Sequence, residues 1–164
     1  MLNENTISES AFKALLGFKI PDSELFDVFI SYKHEDADIA KNIYIYLKQN
    51  LLYPFLDSYT LPELSDSDYE DAIMDSLEKS KHFVVIISKL EYLKSFWVRL
   101  EMKTFQHESN EGRKGNANFL MIVSDEVAKQ ILETNKKCLN IRYRSCEIIK
   151  ISEYKERILN YLID

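Results

Sequence analysis

Glu101 stands where a carboxylate is not expected. Ser95-Phe96-Trp97-Val98-Arg99-Leu100-Glu101 reads as the first turns of a helix, with Ser95 in the N-cap position. On a wheel of about 100° per residue with Trp97 at zero, Val98 falls at about 100°, Leu100 at about 300°, Met102 at about 140° and Phe105 at about 80°. Glu101 falls at about 40°, in the middle of that apolar arc, with Arg99 and Lys103 on the opposite side. A carboxylate in mid-stripe loses hydration unless it is paired or lines a cavity. Two readings follow from the residues alone. The carboxylate is satisfied by a backbone amide or buried cation, or its helix end is lifted into solvent; or it is kept there for chemistry, since functional sites concentrate such violations of local rules.

The elements that must position this residue alternate along the chain. FDVFISY (26–32) is a short apolar run rich in β-branched and aromatic residues, as a buried parallel strand should be. Residues 35–50 carry helical spacing through Ile39, Ala40, Ile43 and Leu47. YPFLD (53–57) reads as a second strand and SYTLPELSDS (58–67) as a polar loop punctuated by Pro62. Residues 68–80 read as a helix with Tyr69, Ile73 and Leu77 on one face, and HFVVIIS (82–88) as a central strand. The helix bearing Glu101 covers about 96–107; a glycine-containing loop (109–116), a strand (118–124), a helix (125–135), a strand (146–151) and a closing helix follow. Strand and helix alternate five times, which predicts an α/β fold: a three-layer, flavodoxin-like arrangement with a central five-stranded parallel sheet and helices on both faces. Ligands of such sheets bind beyond the carboxyl ends of the strands at a topological switch point. The segments to search are therefore SYKHED, DSYTLPELSDS and SKLEYLKSFW.

Composition narrows the function classes. The 164 residues fit one domain, with residues 1–24 as an N-terminal extension, able to form a short helix through Phe12, Leu15 and Leu16, and 25–164 as the domain. The formal charge is −6, and residues 49–78 hold eight acids (Asp57, Glu63, Asp66, Asp68, Glu70, Asp71, Asp75, Glu78) with no Lys or Arg. Such a block repels phosphate backbones, so no nucleic-acid partner is expected. No apolar run approaches the roughly 20 residues that span a bilayer, and MLNENTISES lacks the basic and apolar regions of a signal peptide. A cytoplasmic chain without membrane contact is expected. Cys138 and Cys146, eight residues apart without clustered histidine, read as reduced structural thiols. No GxGxxG or GxxxxGK[ST] follows a strand, and His34, His82 and His107 have no GxSxG serine beside them, which excludes the familiar dinucleotide, P-loop and hydrolase arrangements. A phospho-receiver domain would need an aspartate where this chain has Ser88.

Four segments, in order, resemble TIR domains, especially the bacterial type. FDVFISYKHED resembles the first-strand signature; YPFLD and the loop through LPEL resemble the second strand and the BB loop. AIMDSLEKSKHFVVIIS resembles the next helix and strand. SKLEYLKSFWVRLE resembles the family's S…S-x-W-C-x-x-E segment, with Ser88, Ser95, Trp97 and Glu101 in register and Val98 in the place of the cysteine. The BB loop departs from the family pattern in having no glycine and in being unusually acidic.

The resemblance implies an enzyme that cleaves NAD+ at the nicotinamide–ribose bond, with Glu101 as the catalytic carboxylate and NAD+ as substrate rather than cofactor. It places substrate contacts at Ser31, Tyr32 and Lys33; the alternative for Lys33 is a solvated surface position. Trp97 either stacks on a substrate ring or packs in the core. Phe55 and Tyr59 are expected as an aromatic wall over the nicotinamide. Asp57 either accepts a hydrogen bond from substrate or caps its loop. No metal is implied. The products are nicotinamide plus ADP-ribose or a cyclic ADP-ribose, in a bacterial antiphage role with self-association through the BB loop and an effector that senses the product. The alternatives are a non-catalytic module acting through TIR–TIR contacts and an N-ribosyl enzyme acting on nucleosides.

Overall fold

The computed structural model describes residues 25–57 and 66–163, with the backbone alone for 66–69. Five strands form one sheet: β1 (Phe26–Tyr32), β2 (Pro54–Phe55), β3 (Ser80–Ile87), β4 (Phe119–Val123) and β5 (Glu147–Lys150). All neighbours are parallel, in the order β2-β1-β3-β4-β5. The register sets Ser31 beside Val85 and Tyr32 beside Ile86. The expected fold is thus the observed one.

Alternation along each strand sorts the core into two layers, because successive side chains point to opposite faces. Phe29, Phe83, Val85, Ile87, Met121 and Val123 face α2 (Asp66–Glu78), α3 (Phe96–Asn110) and α4 (Asp125–Glu133). Val28, Ile30, Val84, Ile86, Leu120, Ile122 and Ile149 face α1 (Ala37–Gln49) and the closing pair α5 (Tyr154–Arg157) and α6 (Leu159–Leu162). A parallel sheet covered on both faces needs apolar residues at consecutive positions, which is why β1, β3 and β4 read as continuous apolar runs. Cys146 is buried in the first layer as a free thiol, and burial pushes its pKa up to about 12, so it is an unreactive core residue.

The elements differ from expectation at their ends. β2 keeps only two of five expected residues and sits at the sheet edge, in register with β1, where a proline's missing N–H is tolerated on the open side. The helix of Glu101 runs three residues further, to Asn110. Ser95 takes the N-cap position of α3, but its side chain accepts no capping hydrogen bond. Residues 1–24 and most of the expected loop, 58–65, lie outside the described residues.

Candidate active site

Strand order 2-1-3-4-5 reverses direction at β1, so the switch point is the crevice between the carboxyl ends of β1 and β3. α3 runs back from that edge, which sets its second turn against the end of β1. Val98, Glu101, Met102 and Phe105 form its buried face. That arc covers about 40° to 140° on the wheel above, so Trp97 and Leu100 lie at or beyond its margin. Glu101 remains inside it, at the edge nearest Trp97.

Ser31 shares the sheet face of Phe29, and its hydroxyl donates to Glu101 Oε1 at 2.7 Å. Both residues are buried; Glu101 keeps 6% exposure. Loss of water is the main influence on the carboxyl and raises its pKa to about 8. The Ser31 hydrogen bond opposes this, and the nearby Asp57 charge adds to it. Asp57, just beyond β2, accepts a hydrogen bond from the Tyr32 hydroxyl at 2.7 Å. Ser31, Tyr32, Asp57 and Glu101 therefore meet at the switch point.

The other expected residues part from this group. Phe55 is fully buried and stacks on Phe29 at 4.9 Å, with Phe26 edge-on at 5.3 Å. It is a core residue and not a wall of the site, because pairing with Phe29 at the sheet edge turns it inward. Lys33 lies over the Tyr92 ring at 4.7 Å, and its Nζ is 3.7 Å from a Glu35 carboxylate oxygen, on the surface. Trp97 is 40% exposed and meets Phe96 edge-to-face at 5.5 Å. It does not pack in the core; it stands at the rim, available to a ring. Tyr59 lies outside the described residues.

Two buried groups escaped the sequence reading. Asp36 receives the Ser88 hydroxyl at 2.6 Å and the Ser88 backbone amide at 3.3 Å, tying the segment after β1 to the end of β3. Its only signal was a place in SYKHED, a segment that had to be searched. Lys114 is 9% exposed and donates to the carbonyls of Leu77 (2.7 Å), Glu78 (2.7 Å) and Ser80 (2.6 Å). It closes the C-terminus of α2 at the opposite edge of the sheet, and nothing local in GRKGN announces it. Among the described residues no group of His, Cys, Asp and Glu side chains is placed to hold a metal.

The arrangement offers one desolvated carboxyl, poised by a hydroxyl, beside an exposed aromatic rim. A family model described as TIR domain matches residues 28–151. The chain belongs to the TIR-domain family. No curated protein matches it. Among solved structures, a metazoan TIR-STING receptor from C. gigas, in complex with 2′,3′-cGAMP, is similar with a TM-score of 0.64 at 17% identity. The match covers 89% of this chain and 42% of that one, so the TIR chain here spans less than half of the receptor, and the likeness is one of fold. No helix among the described residues of this TIR chain is long and apolar enough to cross a membrane.

Proposed function

We propose that this TIR domain cleaves the nicotinamide–ribose bond of NAD+, with Glu101 as the catalytic carboxylate. The observation that carries the reading is a buried carboxyl, hydrogen-bonded by Ser31, at the switch point of a parallel sheet. The C1′–N1 bond breaks with its electron pair going to the pyridinium nitrogen. Nicotinamide leaves neutral and needs no general acid. Positive charge develops on the ribose, as in glycoside cleavage, and an ionised Glu101 stabilises it most strongly where water is excluded. Water then adds at C1′ and loses a proton to solvent, giving ADP-ribose; attack by a nucleophile of the same molecule gives a cyclic product instead.

The raised pKa fits this task. In the free protein the carboxyl is largely protonated at neutral pH, which limits the cost of keeping it buried. The cationic pyridinium of NAD+ favours the ionised form, so the carboxylate is generated when substrate is present. Trp97 at the rim stacks on a substrate ring, and Tyr32 and Asp57 hold ribose or amide groups. In a bacterial setting the activity serves antiphage defence, by consuming NAD+ or by making a nucleotide signal for an effector, with assembly through the 58–67 segment. A purely interacting module would leave a buried, under-satisfied carboxyl without a use.

The test is nicotinamide release from NAD+ by the full chain and by Glu101→Gln. The wild type should turn over, and the variant should lose at least about a hundredfold. Turnover that survives the substitution removes Glu101 from the mechanism. No turnover by the wild type at any protein concentration supports the interaction module.

A further inference from the structure

A cavity of about 680 Å³ opens on the other side of α3 from Glu101. Its walls are the turn at Leu90–Lys94, the outer face of α3 and the segment from Cys138 to Tyr143. Four cations converge on it, Lys94, Arg99, Lys103 and Arg142, against one carboxylate, Glu91. The chain as a whole is acidic, so this concentration of positive charge runs against its composition. Among the described residues none of the four cations forms an ion pair.

The floor is apolar: Leu90, Leu93 and Tyr143 pack against the core. Arg99 and Arg142 both line the cavity beside Tyr143, and their charges oppose the upward push of burial on its phenol. The far wall is tied down. Asn140 Oδ1 accepts from the Arg142 amide at 3.1 Å, Arg144 Nε donates to the Leu139 carbonyl at 3.3 Å, and Gln106 Nε2 donates to the Arg142 carbonyl.

We propose that this cavity binds a phosphate ester of nucleotide size, with its phosphate between Arg99 and Arg142 and its organic body over Leu90, Leu93 and Tyr143. Guanidinium groups suit a phosphate because their planar donors match its oxygens in pairs. Apolar walls with a few convergent polar groups, in a volume of roughly 300–1,000 Å³, are what small organic ligands occupy. A concave site of this size favours a small molecule over an acidic protein surface. The site is separate from the Glu101 crevice and does not depend on NAD+ cleavage.

The test is titration of the full chain with ADP, followed by amide chemical shifts and by calorimetry. Shifts should concentrate at Leu93, Arg99 and Arg142, and adenosine should bind at least tenfold more weakly. The pair Arg99→Glu with Arg142→Glu should weaken ADP binding at least tenfold. If that pair does not fold, Lys94→Gln with Lys103→Gln should still weaken binding and make it less sensitive to salt. ADP binding that ignores both pairs overturns the proposal, as do shifts confined to Ser31, Tyr32 and Asp57, or no binding at millimolar ADP. Self-association that the charge reversals abolish, without ADP binding, overturns it in favour of a protein partner.

Discussion

Glu101 and Lys114 are both buried ionisable residues on the same side of the sheet, and they are treated in opposite ways. Lys114, at the amino edge, has three N–H groups and three carbonyl partners. Its pKa is lowered by burial, while Glu108 and Glu78 support the charge. Among the described residues Glu101, at the carboxyl edge, receives one hydrogen bond, although a carboxylate has room for about four. A satisfied buried charge reads as structure; an under-satisfied one at a ligand-binding edge reads as function. The difference lies in the partners, since the two residues are nearly equally buried.

Removing each charge without changing its size should therefore move stability in opposite directions. Lys114→Met leaves three buried carbonyls of the α2 terminus and β3 start without a donor. It should cost about 2–4 kcal/mol, a fall of about 5–12 °C in Tm for a domain of this size. Nicotinamide release per folded molecule should not change. An unchanged Tm would show that Lys114 contributes no more than a surface lysine.

Glu101→Gln should stabilise, and by an amount that depends on pH. The folded pKa, about 8, lies above the ordinary carboxyl value of 4.5. Between these values the folded chain holds a proton that the unfolded chain has released, so stability falls as pH rises through the window and is undiminished below it. The variant lacks this loss. Its advantage should grow by about 1 kcal/mol per pH unit between pH 6 and pH 8 and then level off. Thermal melts of both proteins across that range read the slope directly, and parallel curves would mean that Glu101 is ionised in the fold at no cost.

The sequence carried the sheet because three of its strands are short apolar runs that have few other uses. It carried Glu101 because a carboxylate among Val98, Met102 and Phe105 breaks a periodic pattern. It misjudged the phase of α3, since Phe96 and Trp97 are large and apolar yet 71% and 40% exposed. Exposed apolar residues break no rule, so type alone could not centre the arc. Phe55 failed for a related reason. A two-residue strand sets no alternation of its own, and only pairing with Phe29 decides which way the ring turns. Asp36, Lys114 and the Tyr32–Asp57 pair depend on partners 52, 34 to 37 and 25 residues away, beyond any local pattern.

The smallest effects sharpen the comparison most, because they ask what holds Glu101 poised. If activity needs the ionised carboxyl, kcat/KM should rise with pH toward about 8. Ser31→Ala removes the hydrogen bond that favours ionisation, so the rising limb should move to higher pH and kcat/KM at pH 7 should fall by a factor of about three to ten. Asp57→Asn removes a charge that disfavours ionisation, so the limb should move the other way, by less than about a factor of three at pH 7. A purely packing role for either residue would lower the whole profile without displacing it. Measuring kcat/KM for both variants from pH 6 to pH 9 separates the cases, and limbs that move in the same direction would show that the Ser31 hydroxyl and the Asp57 charge do not act in opposition on one carboxyl.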